Sequence, residues 1–123
     1  LYRGLRLRHF LRHSAQEDLF YYDALQIFVL YGLLSDIPKV EQLFADVTLH
    51  EFTEHFIATY PEIQASALRF CTHYSAVRYG AHPITQEYCT ELITYKTQLF
   101  TLLAENKGKH KLLQYRITRL LRY

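Results

Sequence analysis

His50-Glu51-Phe52-Thr53-Glu54-His55 is the densest run of ligating and titratable side chains in the sequence, and it would suit a zinc-dependent hydrolase if its spacing were right. It is not. Helix-borne zinc protease motifs set two His four positions apart on one face, whereas these are five apart and diverge by about 140° at ~3.6 residues per turn. His50 and Glu54 do share a face, as do Glu51 and His55, and exposed ion pairs are the expectation there. Cys71, His73 and Cys89 offer a second chemistry, a thiolate with a base. Cys71 and His73 stand two apart on a helix and face different sides. Both cysteines also fall in apolar-periodic segments, while a reactive thiolate needs an electropositive, partly exposed setting. They read as buried, reduced structural thiols of a cytoplasmic compartment, with a single disulfide, or an enzyme using Cys71 or Cys89, as alternatives. No Gly-rich phosphate loop, Ser elbow or well-spaced carboxylate pair is present, so no catalytic residue, metal or cofactor is expected.

The charges carry more information. Of fourteen Lys and Arg, ten lie at the ends: Arg3, Arg6, Arg8 and Arg12 in the first thirteen positions, and Lys107, Lys109, Lys111, Arg116, Arg119 and Arg122 in the last seventeen. Neither end holds an acid. Residues 14–106 contain all twelve Asp and Glu against Lys39, Arg69, Arg78 and Lys96, a net charge near −8. The ends suit an anionic membrane surface or an acidic protein partner, and the body would repel nucleic acid. The eleven Tyr could stack on single-stranded bases, but Tyr21, Tyr22, Tyr31, Tyr60, Tyr74, Tyr79, Tyr88 and Tyr95 all lie in that acidic body, so packing at a bundle edge is expected instead. Tyr115 and Tyr123, among cations, would equally suit a lipid headgroup region.

The elements that must position these groups are helices. Four Gly and three Pro punctuate 123 residues, too few for the closely spaced turns of a sandwich or barrel. We expect an all-α fold, a single compact bundle of about five to six helices: a basic juxtamembrane-like helix in 1–13, a helical core in 14–106 and a basic helix in 107–123. Ser14 and Glu17 read as a capping box that starts a new helix, whose buried stripe is Leu19, Phe20, Ala24, Ile27, Phe28, Tyr31 and Leu34. Asp36-Ile37-Pro38 closes it and opens a short helix. Thr48 and Glu51 form a second capping box, with Val47 and Phe52 as a hydrophobic staple, and Tyr60-Pro61 ends that helix. Ile63, Ala67, Phe70, Tyr74 and Val77 then recur at helical spacing up to Gly80, which is expected to end the helix at positive φ. Arg78 would complement the helix dipole, and Tyr79 would pack across the turn. Thr85 caps the next helix, with Cys89, Leu92, Ile93, Lys96, Leu99, Phe100 and Leu103 inward, up to Asn106-Lys107-Gly108. The apolar run near Leu25–Leu34 is too short to span a bilayer.

Three segments together carry a resemblance: Thr48-Leu49-His50-Glu51-Phe52, then Tyr60-Pro61-Glu62-Ile63, then Tyr74-Ser75-Ala76-Val77-Arg78-Tyr79-Gly80 leading through Pro83-Ile84-Thr85 into a closing helix. This pattern, over roughly residues 45–103, resembles the helical cytoplasmic C-terminal domain of unknown function of bacterial membrane-bound transglutaminase-like proteins. The insertion at 33–43 and the basic helix after Lys107 depart from it. The resemblance implies a non-catalytic accessory domain on the cytoplasmic side of the cell membrane, part of a longer protein whose Cys-His-Asp triad lies in another domain. Independently, the first residue is Leu and no signal pattern follows, which reads as a piece of a longer chain, and a basic start fits the inner side of a spanning helix. The alternative is a free-standing helical protein of the bacteriocin-immunity type.

Overall fold

The computed structural model describes the backbone of residues 2–37, 42–80 and 82–121 and the side chains of 17–37, 42–80 and 82–116. Four α-helices account for nearly all of it: α1 (Tyr2–Leu34), α2 (Leu49–Thr59), α3 (Gln64–Tyr79) and α4 (Gln86–Leu121), with a 3-10 turn at Pro61–Ile63 between α2 and α3. The described residues contain no strand. The fold is all-α, with four helices where five to six were expected. No helix among the described residues is long and apolar enough to cross a membrane.

The difference in number begins at Ser14. Helix α1 runs through it without interruption for 33 residues, so Ser14 and Glu17 do not start a helix and 1–13 is not a separate element. A capping box only competes with helix continuation. No Pro breaks 2–34, and once a helix is nucleated each further residue adds a hydrogen bond. The end of α1 is sharper. Asp36 takes φ 60°, and the Ile37 N–H donates to the Gly32 carbonyl at 2.7 Å, the six-to-one bond of a Schellman closure. Asp36 therefore finishes α1 in the left-handed conformation, which Asp tolerates better than most residues. The expected short helix falls largely on 38–41, outside the described residues.

Local signals held where a side chain satisfies a helix end directly. Thr48 Oγ1 accepts the Glu51 N–H at 3.2 Å and donates to Glu51 Oε1 at 3.4 Å. Thr85 Oγ1 accepts the Tyr88 N–H at 3.1 Å. Helix α2 stops at Thr59 and Pro61 opens the 3-10 turn. Gly80 does end α3, but at φ −100° and not at positive φ; its N–H reaches the Ala76 carbonyl at 2.9 Å. Space explains the Gly, since a Cβ there would sit 2.8 Å from the Ala76 carbonyl oxygen.

The left-handed glycine is Gly108, at φ 78° and ψ −172° inside α4. The rings of Phe100 and Tyr115 meet at 5.8 Å, although fifteen residues of straight helix would span about 22 Å. Helix α4 therefore doubles back at Gly108, and both of its arms pack against α1. From 26 to 32 every residue of α1 is buried, as befits a helix surrounded on all sides. Phe28 and Tyr31 meet α2 and α3 through rings: Tyr31 lies 4.6 Å from Phe56 and 6.2 Å from Phe70, and Phe28 lies 5.8 Å from Phe70. Of the expected core, Leu19 is 59% and Ile93 is 52% exposed. Both lie just outside the inward arc, which a three-four pattern defines only to about one residue.

Candidate functional site

The polar residues buried on α1 are each answered by an arm of α4. Asp23 accepts from Lys96 at 2.7 Å, and Gln26 Oε1 accepts from the Tyr115 hydroxyl at 3.3 Å. The Tyr31 and Tyr95 hydroxyls bond each other inside the core. Burial pushes both phenols well above the ordinary tyrosine range; for Tyr31 the neighbouring Tyr95 adds to the rise, and for Tyr95 burial outweighs the hydrogen bond from Tyr31. These Tyr, expected at a bundle edge with wet hydroxyls, are instead a dry pair that joins α1 to α4.

Three places on the surface combine charge with shape. The first is a cleft of about 210 Å³ between α3 and α4. His73 Nδ1 lies 2.6 Å from Glu91 Oε2, the His73 ring stacks on Tyr88 at 4.3 Å, and Arg69 and Ser66 stand at the rim. Glu91 Oε2 has no hydrogen-bond partner among the described residues, so the approach lacks the aligned carboxylate–imidazole hydrogen bond that general-base chemistry uses. Here the adjoining Thr90 and Thr94 hydroxyls donate to carbonyls of their own helix, and Cys71 and Cys89 are buried elsewhere. Sequence reasoning missed the pair, because eighteen positions separate its members on different helices.

The second place is a groove of about 550 Å³ lined by Phe28, Phe44, Thr48, Tyr74, Arg78 and Tyr79. It unites two segments that the sequence presented as separate structural motifs, Thr48-Glu51-Phe52 and Arg78-Tyr79-Gly80. Tyr79 is 80% exposed and so does not pack across the turn as expected. His50 also borders the groove, but its Nε2 is held by Glu54 at 3.0 Å, the exposed pair that the spacing predicts. Among the described residues no group of three His, Cys, Asp or Glu side chains is arranged to hold a metal ion.

The third place is the basic C-terminal arm. Lys107 reaches Asp36 Oδ2 at 2.9 Å and Lys111 reaches Oδ1 at 3.3 Å. Their hydrogen bonds, Lys107 first, hold the Asp36 carboxyl below the usual carboxylate range, and Asp36 in turn raises Lys107. Leu112 packs against the core and Tyr115 is buried, so one face of the arm is internal. Beside that face Lys109, Leu113 and Arg116 are open to solvent, Leu113 being 56% exposed. The side chains of Arg3, Arg6, Arg8, Arg12, Arg119 and Arg122 lie outside the described ones.

Compared with known protein families, curated proteins and solved structures, the chain matches none. The resemblance drawn above rests on its motifs alone.

Proposed function

We propose that the chain is a non-catalytic helical interaction domain whose basic ends contact an anionic membrane surface, in keeping with a cytoplasmic accessory domain of a longer bacterial transglutaminase-like membrane protein. The observation that carries this reading is the outward face of the C-terminal arm, where Leu113 stands exposed one helical turn from Lys109 and from Arg116. An apolar side chain between cations suits an interface in which the chain meets acyl tails and phosphates together. Arg119 and Arg122 add two more cations in the sequence beyond Arg116, and the four Arg of residues 1–13 supply a second basic segment. The His73–Glu91 pair serves as a strap between α3 and α4.

Sedimentation with vesicles tests the proposal. The chain should cosediment with vesicles containing phosphatidylserine but not with phosphatidylcholine alone, and salt should release it, because exposed charges are screened beyond about 8 Å at physiological ionic strength. Changing Lys109, Arg116, Arg119 and Arg122 together to Gln should weaken binding, by at most ~1 kcal/mol per cation. Changing Arg3, Arg6, Arg8 and Arg12 should do the same. Equal, salt-insensitive recovery with both vesicles would rule out the electrostatic contact and turn attention to an acidic protein partner.

A further inference from the structure

We propose that the groove between α1, residues 44–50 and the last turn of α3 is a binding site for a small monocarboxylate with an aromatic body. Phe28, Phe44 and Tyr74 all line the groove, the Phe28 ring meeting Phe44 at 5.3 Å and 85° and Tyr74 at 5.2 Å and 89°. The two outer rings are packed further into the core, Phe44 against Phe52 at 5.6 Å and Tyr74 against Phe70 at 5.6 Å. The lining is thus a preformed aromatic surface, and edge-to-face contacts of this kind favour a flat apolar guest. Its volume, about 550 Å³, lies within the range of small-molecule pockets.

Arg78 supplies the polar end. It borders the groove close enough to the Tyr74 hydroxyl to act on it electrostatically, and among the described residues it makes no ion pair with any carboxylate. Arg69, the other arginine of the body, likewise makes no ion pair among the described residues, but it stands at a different cleft. Lys96, by contrast, is paired with Asp23, and His50, on the same groove, is occupied by Glu54. A guanidinium left open beside an apolar cleft matches a carboxylate, which it can bind through two parallel hydrogen bonds. Tyr79, largely exposed beside it, can close over the guest. The cleft at Arg69 is less suited, because Glu91 stands inside it. This site is separate from the basic ends, so neither reading depends on the other.

Calorimetry with 2-naphthoate and its neutral counterpart 2-naphthalenemethanol tests the site. Naphthoate should bind with a dissociation constant of about 1 mM or below, and the alcohol about tenfold more weakly, the factor expected of a charge-assisted hydrogen bond at a partly exposed site. Arg78→Gln should bring naphthoate down to the level of the alcohol and leave the alcohol unchanged. Phe44→Ala should weaken both. Amide shifts induced by naphthoate in the unaltered chain should cluster in 44–50 and 74–79, a readout that does not depend on any variant folding. Equal affinity for the two compounds, an unaltered naphthoate affinity in Arg78→Gln, shifts elsewhere, or no binding of either would overturn the proposal.

Discussion

Tyr31 and Tyr95 give the core a response to alkali. Both phenols are pushed up by burial, so in the folded state they stay protonated where the unfolded chain, at about pH 10, releases both protons. The unfolded state then binds fewer protons than the native one, and stability falls as pH rises. The contribution is complete below pH ~10 and is lost as pH climbs toward the folded values, with a limiting slope of about 2.7 kcal/mol per pH unit for two groups. Urea unfolding between about pH 9 and 11.5 should show this fall. Replacing both residues by Phe keeps the rings and removes the titration, so that variant should have a distinctly shallower pH profile. Tyr95→Phe alone should cost about 1–3 kcal/mol at pH 7, since it leaves the Tyr31 hydroxyl buried without its partner. An alkaline slope unchanged in the double variant would mean that other groups govern it.

At the scale of elements, two glycines end helical runs for different reasons, and substitution separates them. Gly108 has open space where a Cβ would sit, but its φ of 78° with ψ −172° is a conformation that side chains resist. Gly108→Ala should therefore cost about 1–3 kcal/mol through backbone strain, and the loss should appear as loosening of the α4 fold-back. Gly80 has an ordinary φ but no room, so Gly80→Ala should shift His82 and fray the end of α3. If thermal melts show Gly108→Ala to be neutral, the bend is not held by that conformation. The same contrast explains what could be read in the sequence. Thr48, Thr85 and Pro61 act on neighbours within three or four residues, and those ends were legible. Gly80 was correctly read as an end with the wrong geometry, because sequence does not distinguish a need for positive φ from a need for space. Ser14 carried a capping signal but no breaker, and continuation of α1 won. The His73–Glu91 strap and the meeting of Thr48 with Arg78 depend on how α2, α3 and α4 pack, and no local spacing encodes either.

For the whole molecule, the separation of charge visible in the sequence is partly undone by folding. Asp36, an acid at the end of α1, draws Lys107 and Lys111 from the basic arm, at the bend where α4 reverses. This clamp ties the arm to the body and withholds two of its six cations from any outside surface. Because Asp36 is held below its ordinary value, the contribution is present above the unfolded carboxylate pKa of about 3.9 and is lost as pH falls through the lower, folded value. Asp36→Asn should reproduce that acid state at neutral pH, since Asn also tolerates the left-handed conformation and leaves the α1 closure intact. Two results are expected together. Heteronuclear relaxation should show greater mobility for residues 107–116, and the variant should bind phosphatidylserine vesicles more tightly, by up to ~1 kcal/mol for each lysine released. Greater mobility without tighter binding would mean that Lys107 and Lys111 face away from the membrane even when free, which confines the contact to the outward face of Lys109, Leu113 and Arg116. If neither changes, the two ion pairs are exposed contacts of the kind that contribute little, and the arm is held by Leu112 and Tyr115 alone.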